Sequence, residues 1–219
     1  MSSIDQEIWD ISTLGWRIAV NSKFNSEWIN SNSLSAPIKS IDDLHLEGLD
    51  VSDSHPHEVG WLKNIDRLVD MLPLSFDPSE FDLLDVGCGS GISTLYFCEN
   101  YCFSSFSGID LSPILIASAV RNLQIFNNKK KSTYKIVFAA SDAREYVIDN
   151  LNRKIFIYMF NPFGFDTASV FVARNLETLR SRNAILALSW DTWIWQLLAK
   201  KWHKAVVRNS LYKLSLVAF

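Results

Sequence analysis

Hydrophobic residues in this chain follow two different periods. From Phe81 onwards, apolar runs of strand length are separated by segments in which apolar residues recur every three or four positions. The short runs predict buried β-strands, and the longer periodic segments predict amphipathic helices. Strands that alternate with helices along a chain indicate an α/β fold with a largely parallel sheet.

The apolar runs predict five strands in this part of the chain. The first begins at Phe81, and the other four cover Ser104–Ile109, Tyr134–Ala140, Ile155–Phe160 and Ala184–Ser189. The fourth is apolar at nearly every position, which is typical of a central parallel strand with both faces covered. Near the end of the chain, two further runs separated by a polar turn predict a β-hairpin, with strands at Trp202–Val207 and Leu211–Phe219 around Arg208-Asn209-Ser210.

The N-terminal third is predicted to be helical. A short amphipathic helix is expected from the spacing of Ile4, Ile8, Trp9 and Ile11, and a second from that of Trp61, Ile65, Leu68, Val69 and Leu72. Residues 1–75 then form an N-terminal extension, and residues 76–219 form the main domain. Exposed aromatic rings are costly, so Trp16, Phe24 and Trp28 are expected to pack on the domain body or to cover a ligand cleft.

Composition places the chain among globular proteins. It has 219 residues, of which 48% are hydrophobic and 21% charged. It lacks an apolar run of about 18 residues, so no membrane span is expected. The start has no basic and apolar export signal. We therefore expect a cytoplasmic protein in which Cys88, Cys98 and Cys102 are free thiols, and no metal-ligand spacing is visible among them.

Charge is unevenly distributed along the chain. Residues 1–80 carry 14 acidic and 5 basic side chains, whereas residues 81–219 carry 10 acidic and 16 basic ones. The two parts are expected to pack against each other, although a basic face for an anionic substrate is the alternative. The basic residues are scattered, apart from three consecutive lysines at 129–131. No nucleic-acid partner is therefore expected.

Three glycines follow the first strand at alternate positions. Gly87, Gly89 and Gly91 lead directly into a helical pattern that starts at Ile92. A strand, a glycine loop and a helix in this order present backbone N–H groups and a helix N-terminus to a ligand. Glycine tolerates positive φ and lets ligand atoms approach the main chain closely. An ordinary strand-to-helix turn is the alternative interpretation.

The segment Asp85-Val86-Gly87-Cys88-Gly89-Ser90-Gly91 resembles the first motif of class I S-adenosylmethionine-dependent methyltransferases. A dinucleotide-binding fingerprint would place its third glycine one residue later, where Ile92 stands. The resemblance implies a Rossmann-like class I methyltransferase sheet, mostly parallel with a C-terminal antiparallel hairpin and flanked by helices. It also implies S-adenosyl-L-methionine as cofactor, bound in this segment by Asp85, Gly87, Cys88, Gly89 and Gly91.

Two more acidic residues lie at strand ends where the same family binds its cofactor. Asp110 follows the second strand, where a carboxylate can accept both ribose hydroxyls of a nucleoside, and Leu111 comes next. Asp142 follows the third strand, where the resemblance implies contact with the adenine amino group, with Ala143 beside it. The alternative for either carboxylate is a helix cap.

The fourth strand ends in Asn161-Pro162-Phe163-Gly164. The resemblance places the transferred methyl group here, and in family members that act on amines an Asn side chain and a main-chain carbonyl accept the amine hydrogens. This sequence has one proline where that motif has two, and is more similar to small bacterial methyltransferases with Asn-Pro-Phe. Asn161 is the predicted catalytic residue and is also expected to contact the cofactor, and Pro162, Phe163 and Trp190 are predicted to bind the acceptor. A proline-fixed turn is the alternative.

Two histidines precede the second predicted helix. His55 and His57 flank Pro56 in a turn that borders the cofactor in the fold implied by the resemblance. No further metal ligands lie nearby in the sequence, so no bound metal is expected. Either ring could act as a base or polar contact, and we assign His57 to catalysis and His55 to substrate binding. A surface cap for the following helix is the alternative.

These residues predict an S-adenosylmethionine-dependent methyltransferase that acts on an amine of a small molecule or protein. One alternative is an O-methyltransferase in which a histidine is the base, because a hydroxyl must lose its proton. Another is a cofactor-binding scaffold without catalysis. A dehydrogenase is the alternative that the sequence favours least. The oligomeric state stays open.

Overall fold

A computed structural model describes residues 16–149 and 151–219 of the chain. The helix expected around Ile4–Ile11 lies outside the described residues. Seven α-helices occur within the described part, with a short 3₁₀-helix at Pro78–Glu80: α1 Trp16–Ser31, α2 Ile41–His45, α3 Leu62–Asp70, α4 Ile92–Asn100, α5 Pro113–Lys130, α6 Phe165–Ser181 and α7 Ile194–Ala199. The seven strands are β1 Phe81–Val86, β2 Ser105–Asp110, β3 Ile136–Ala140, β4 Lys154–Phe160, β5 Ile185–Ser189, β6 Ala205–Asn209 and β7 Leu214–Ala218.

The strands form one sheet in the order β3-β2-β1-β4-β5-β7-β6. Strands β1 to β5 pair in parallel, and β7 runs antiparallel to both of its neighbours, β5 and β6. This arrangement confirms the predicted sheet, parallel with a C-terminal antiparallel hairpin. The parallel strands all end at the same edge, so the loops that follow them meet there.

The predicted strand bounds differ from the observed ones mainly in the hairpin. Its strands were expected to enclose a turn at 208–210, but β6 continues to Asn209 and the turn occupies 210–213. The prediction was wrong here because Arg208 is polar yet sits in a strand. Its guanidinium donates to both carboxylate oxygens of Asp191, at 2.6 and 3.0 Å. A polar residue bound to a partner distant in sequence gives no sign of its strand position.

Each face of the sheet carries its own hydrophobic core. Leu84 and Val86 of β1 belong to a cluster that includes residues of α6 and α7, while the alternate residue Leu83 belongs to a second cluster with residues of α3 and α4. Alternation of side chains along a strand explains this division. Phe24 and Trp28 of α1 pack against the second cluster, which confirms the expected packing on the domain body for these two rings. The prediction for the Trp16 side chain falls outside what the structure describes.

The described residues contain no helix with the length and apolar character needed to cross a bilayer. Nor do they hold a group of three or more His, Cys, Asp or Glu side chains arranged for a metal ion. The three cysteines are unpaired, with Cys88 and Cys98 buried and Cys102 exposed.

Candidate active site

A cavity of about 710 Å³ opens at the carboxyl edge of the sheet. Loops that follow β1 to β5 line it on one side, and a segment between α2 and α3 lines it on the other. Among the residues singled out in the sequence, eleven line this cavity: His55, His57, Gly87, Asp110, Leu111, Asp142, Ala143, Asn161, Pro162, Phe163 and Trp190. The structure therefore brings together residues more than 100 positions apart.

The glycine loop needs its glycines for close packing as well as for backbone shape. Gly87, Gly89 and Gly91 have φ values of 77°, 54° and 76°. A Cβ on Gly87 would collide with the ring of Pro162, and one on Gly89 would collide with the imidazole of His57. Two segments implicated in function thus pack directly on the main chain of this loop.

Four of the predicted cofactor residues are not among those that line the cavity: Asp85, Cys88, Gly89 and Gly91. Asp85 is buried beneath the loop and accepts the hydroxyl of Thr94 at 2.6 Å. Burial raises the pKa of Asp85 to about 7, and the charge of Asp110 adds to this effect. Asp85 and its hydrogen bond anchor the loop to α4. A direct cofactor contact from these four residues stays a prediction.

Asp110 connects β2 to the glycine loop. One carboxylate oxygen accepts the N–H of Gly89 at 2.8 Å, and the other accepts the N–H of Ser112 at 2.9 Å. Burial raises its pKa, and the two backbone hydrogen bonds act in the opposite direction. Ser112 caps α5 through its own hydroxyl. The carboxylate at the cavity rim is therefore held in one orientation.

Asp142 forms an ion pair with Arg144, a residue that the sequence analysis did not single out. The Arg144 guanidinium donates to both of its oxygens and reaches Asp50 at 2.8 Å. Arg144 lowers the pKa of Asp142 and of Asp50, to about 2 in the latter. Both carboxylates remain ionised at neutral pH. The adenine contact assigned to Asp142 stays a prediction.

Two non-glycine residues adopt left-handed backbone at the exits of β4 and β5. Asn161 has φ 40° and Trp190 has φ 64°. The hydroxyl of Thr192 donates to Oδ1 of Asn161 at 3.2 Å, which links the two exits. Such conformations cost of order 1–3 kcal/mol and persist where the surroundings enforce them, often at functional sites.

A segment ahead of α3 pairs with the β4 exit, and sequence reasoning missed this pairing. Asp53 accepts the N–H of Gly164 through its carbonyl and the N–H of Thr167 through its carboxylate, at 2.8 and 2.7 Å. Ser54 forms a β-bridge with Phe163. No local pattern in the sequence signals contacts between residues so far apart.

His55 completes this pairing. Its N–H donates to the carbonyl of Pro162 at 3.1 Å, and its Nδ1 lies 2.9 Å from the carbonyl of Asn161. The predicted alternative, that the two histidines cap the next helix, was wrong: α3 begins at Leu62, after Trp61. The segment instead borders the cavity, as the resemblance implied.

His57 lies in a different environment from His55. Its imidazole packs on Gly89, and burial lowers its pKa to about 4, with a smaller contribution from Lys39. Nε2 of this ring is buried and has no hydrogen-bond partner among the described residues. The ring is therefore neutral at pH 7 and is a weak proton acceptor.

Three tryptophans follow β5 and have three separate environments. Trp190 lines the cavity and meets Trp61 edge to face at 6.2 Å between ring centroids. Trp193 is buried and donates its indole N–H to the carbonyl of Phe163 at 3.1 Å. Trp195 is exposed. Trp190 is therefore part of the cavity wall, and Trp193 links the start of α7 to the β4 exit. A contact between Trp190 and the acceptor stays a prediction.

No protein-family model matches the chain, and no curated protein matches it. The chain is similar to several solved structures. M. capricolum TrmK, solved with S-adenosyl-homocysteine, is 13% identical, with 74% of this chain and 68% of TrmK covered and a TM-score of 0.46. A ribosomal protein L11 methylase from Lactobacillus delbrueckii is 16% identical, with 78% and 82% covered and a TM-score of 0.47.

YjhP from E. coli is 20% identical, with 60% of this chain covered and a TM-score of 0.40. The match spans 49% of the length of YjhP.

Proposed function

We propose that this chain is an S-adenosylmethionine-dependent methyltransferase. The observation that carries the proposal is the cavity at the carboxyl edge of the sheet, with a glycine loop in its wall and the Asp110 carboxylate at its rim. Ligands of open α/β sheets bind outside the carboxyl ends of the strands. The volume of about 710 Å³ lies within the usual range for small-molecule sites, about 300–1,000 Å³.

The residues present fit such a cofactor. Gly87, Asp110, Leu111, Asp142 and Ala143 lie along the first three strand ends and line the cavity. Cys88, Gly89 and Gly91 belong to the same glycine loop, and Asp85 lies near the end of β1, two residues before Gly87. The cofactor supplies an electrophilic methyl group on a sulfonium. The chain supplies position, and holding two reactants near attack distance is a large part of catalysis in such transfers.

The acceptor is proposed to lie at the exits of β4 and β5. Asn161, Pro162, Phe163 and Trp190 line that end of the cavity, and an amine of a small molecule or protein is the acceptor that the sequence favours. Asn161 Oδ1 would accept an amine hydrogen in competition with the hydroxyl of Thr192. Acceptance of nucleic acid is not part of the proposal.

One observation favours a hydroxyl acceptor as a second candidate. The main-chain carbonyls of Asn161 and Pro162 both receive hydrogen bonds from His55. An amine that uses one of these carbonyls would have to share it with this histidine. A hydroxyl needs a proton acceptor instead, and His55 lies at the same place.

A methyl-transfer assay tests the proposal. Purified protein is incubated with methyl-labelled S-adenosylmethionine and a panel of amines, phenols and small proteins, and products are identified by mass spectrometry. Transfer of label to an amine or a hydroxyl supports the corresponding candidate. Asn161→Ala should abolish transfer while S-adenosylhomocysteine still binds. Cofactor binding with no transfer across the whole panel would favour the scaffold alternative.

A further inference from the structure

His55 is fixed at the β4 exit by a chain of backbone contacts. Its own N–H donates to Pro162, the preceding residue Ser54 bridges to Phe163, and Asp53 accepts the N–H groups of Gly164 and Thr167. The segment therefore follows the whole exit loop, residue by residue. A side chain supported in this way keeps a defined position relative to a bound acceptor.

The hydrogen bond from the ring of His55 defines its tautomer. Nδ1 lies 2.9 Å from the carbonyl oxygen of Asn161. A carbonyl oxygen only accepts, so Nδ1 must carry the hydrogen. In the neutral imidazole the other nitrogen, Nε2, then holds a lone pair. No hydrogen bond within residues 16–149 and 151–219 engages this Nε2, and His55 lines the cavity.

The other histidine at the cavity does not provide an equivalent group. His57 packs on Gly89, and its Nε2 is enclosed by protein. No described backbone carbonyl binds either of its ring nitrogens, so its tautomer is not fixed. Among the described histidines, His55 alone combines a fixed tautomer with a place in the cavity wall beside Asn161.

We propose that Nε2 of His55 accepts the proton of a hydroxyl acceptor, which makes the substrate class an alcohol or phenol. This inference rests on the proposed function. The acceptor oxygen forms a bond to the sulfonium methyl carbon, the carbon–sulfur bond breaks, and its electron pair stays on sulfur as a neutral thioether. The hydroxyl proton moves to Nε2, and the resulting imidazolium returns it to solvent.

The tautomer is tested first in the resting protein. Long-range ¹H–¹⁵N NMR spectra of ¹⁵N-histidine-labelled protein distinguish the two ring nitrogens, and loss of one set of signals in His55→Asn assigns them. The expected spectrum shows Nδ1 protonated and Nε2 unprotonated at a pH where the ring is neutral. A His55 ring protonated on Nε2 alone would overturn the proposal, whether or not an acceptor is known.

Turnover of an isosteric pair of probes provides the second test. Phenol must lose a proton on methylation of its oxygen, whereas aniline attacks as a neutral amine. In His55→Asn, the amide can still donate to the Asn161 carbonyl, but the proton acceptor is lost. We expect phenol methylation to fall about 10²-fold or more, the usual range for loss of a general base. His45→Asn, which changes an exposed histidine on α2, is the matched control.

Failure of the proposed function and failure of the proposal for His55 give different results. If S-adenosylhomocysteine does not bind the parent protein, the proposed function is wrong, but the tautomer measurement still stands. If His55→Asn binds S-adenosylhomocysteine normally and methylates phenol at the parent rate, His55 is not the base. If the parent methylates aniline and not phenol, the amine candidate holds and the inference from His55 is wrong.

Discussion

The carboxylate of Asp110 accepts the backbone N–H of Gly89 at 2.8 Å. This hydrogen bond joins the tip of β2 to the loop that leaves β1, the neighbouring strand. Since the other oxygen of Asp110 binds Ser112, the side chain holds the glycine loop and the start of α5 in one arrangement. Asp110 thus has a structural function in addition to the predicted ribose contact.

Asp110→Asn should weaken both the fold and cofactor binding. Two backbone N–H groups donate to the Asp110 carboxylate. In the Asn variant the side-chain NH₂ faces one of them, so that N–H loses its acceptor, at a cost of about 1–3 kcal/mol. We expect a lower melting temperature and at least a tenfold loss in affinity for S-adenosylhomocysteine, measured by calorimetry. Asp70→Asn, at an exposed position, is the control. Equal stability and affinity in both variants would show that Asp110 has neither function.

Gly89→Ala should destabilise the fold through two separate costs. The backbone has φ 54°, and the new Cβ would collide with the imidazole of His57. Gly48→Ala is a matched control, because Gly48 has φ 75° with open space at its Cβ position. Backbone strain alone costs about 1–3 kcal/mol. We therefore expect Gly89→Ala to lower the free energy of unfolding, measured in urea, by more than Gly48→Ala does.

The steric cost of Gly89→Ala should depend on the ring of His57. Adding His57→Ala to Gly89→Ala removes the colliding ring, so the double variant should lose less stability than the two single variants predict together. Additive losses would show that the ring of His57 does not lie on the glycine loop in solution.

Asp85 and His57 should influence stability with opposite dependence on pH. The pKa of Asp85 is raised to about 7, so its stabilising contribution is present below the unfolded pKa of 3.8 and is lost as pH rises to 7. The pKa of His57 is lowered to about 4, so its contribution is present above 6.5 and is lost as pH falls towards 4. The two effects oppose each other between pH 4 and 6.5.

Single variants separate these two effects. In Asp85→Asn, the free energy of unfolding should rise more steeply from pH 4 to 6.5 than in the parent. In His57→Asn, it should fall over the same pH range. Urea unfolding at four pH values measures the slopes. Parallel curves for the parent and both variants would mean that neither group has a shifted pKa in the folded state.

Trp190 offers a direct test of strain at the β5 exit. Replacement by Ala or Gly removes the same indole, but only Gly adopts φ 64° without strain. We expect Trp190→Gly to be more stable than Trp190→Ala by about 1 kcal/mol, although both lose the contact with Trp61. Glycine loses more backbone entropy on folding than alanine does, by about 0.4–1 kcal/mol. An Ala variant that is more stable than the Gly variant by this amount would therefore show that this backbone conformation is relaxed in solution.

The parts of the site that the sequence predicted are those encoded locally. The glycine loop and Asn161 directly follow a strand, and Asp110 is the last residue of one. Apolar runs and the shared edge of parallel strands therefore suffice to bring them together. The pairing of Asp53 and His55 with the β4 exit joins residues 106 to 114 positions apart. No period or motif marks such a contact. The contact of Arg144 with Asp50, 94 positions away, was missed for the same reason.

Isothermal titration calorimetry of the purified protein with S-adenosylhomocysteine measures whether the cavity binds the cofactor. We expect saturable binding at one site, no heat from NAD under the same conditions, and strongly weakened binding in Asp110→Ala. Binding of NAD in place of S-adenosylhomocysteine, or the same affinity for S-adenosylhomocysteine in Asp110→Ala and in the parent, would show that the cavity is not the proposed cofactor site.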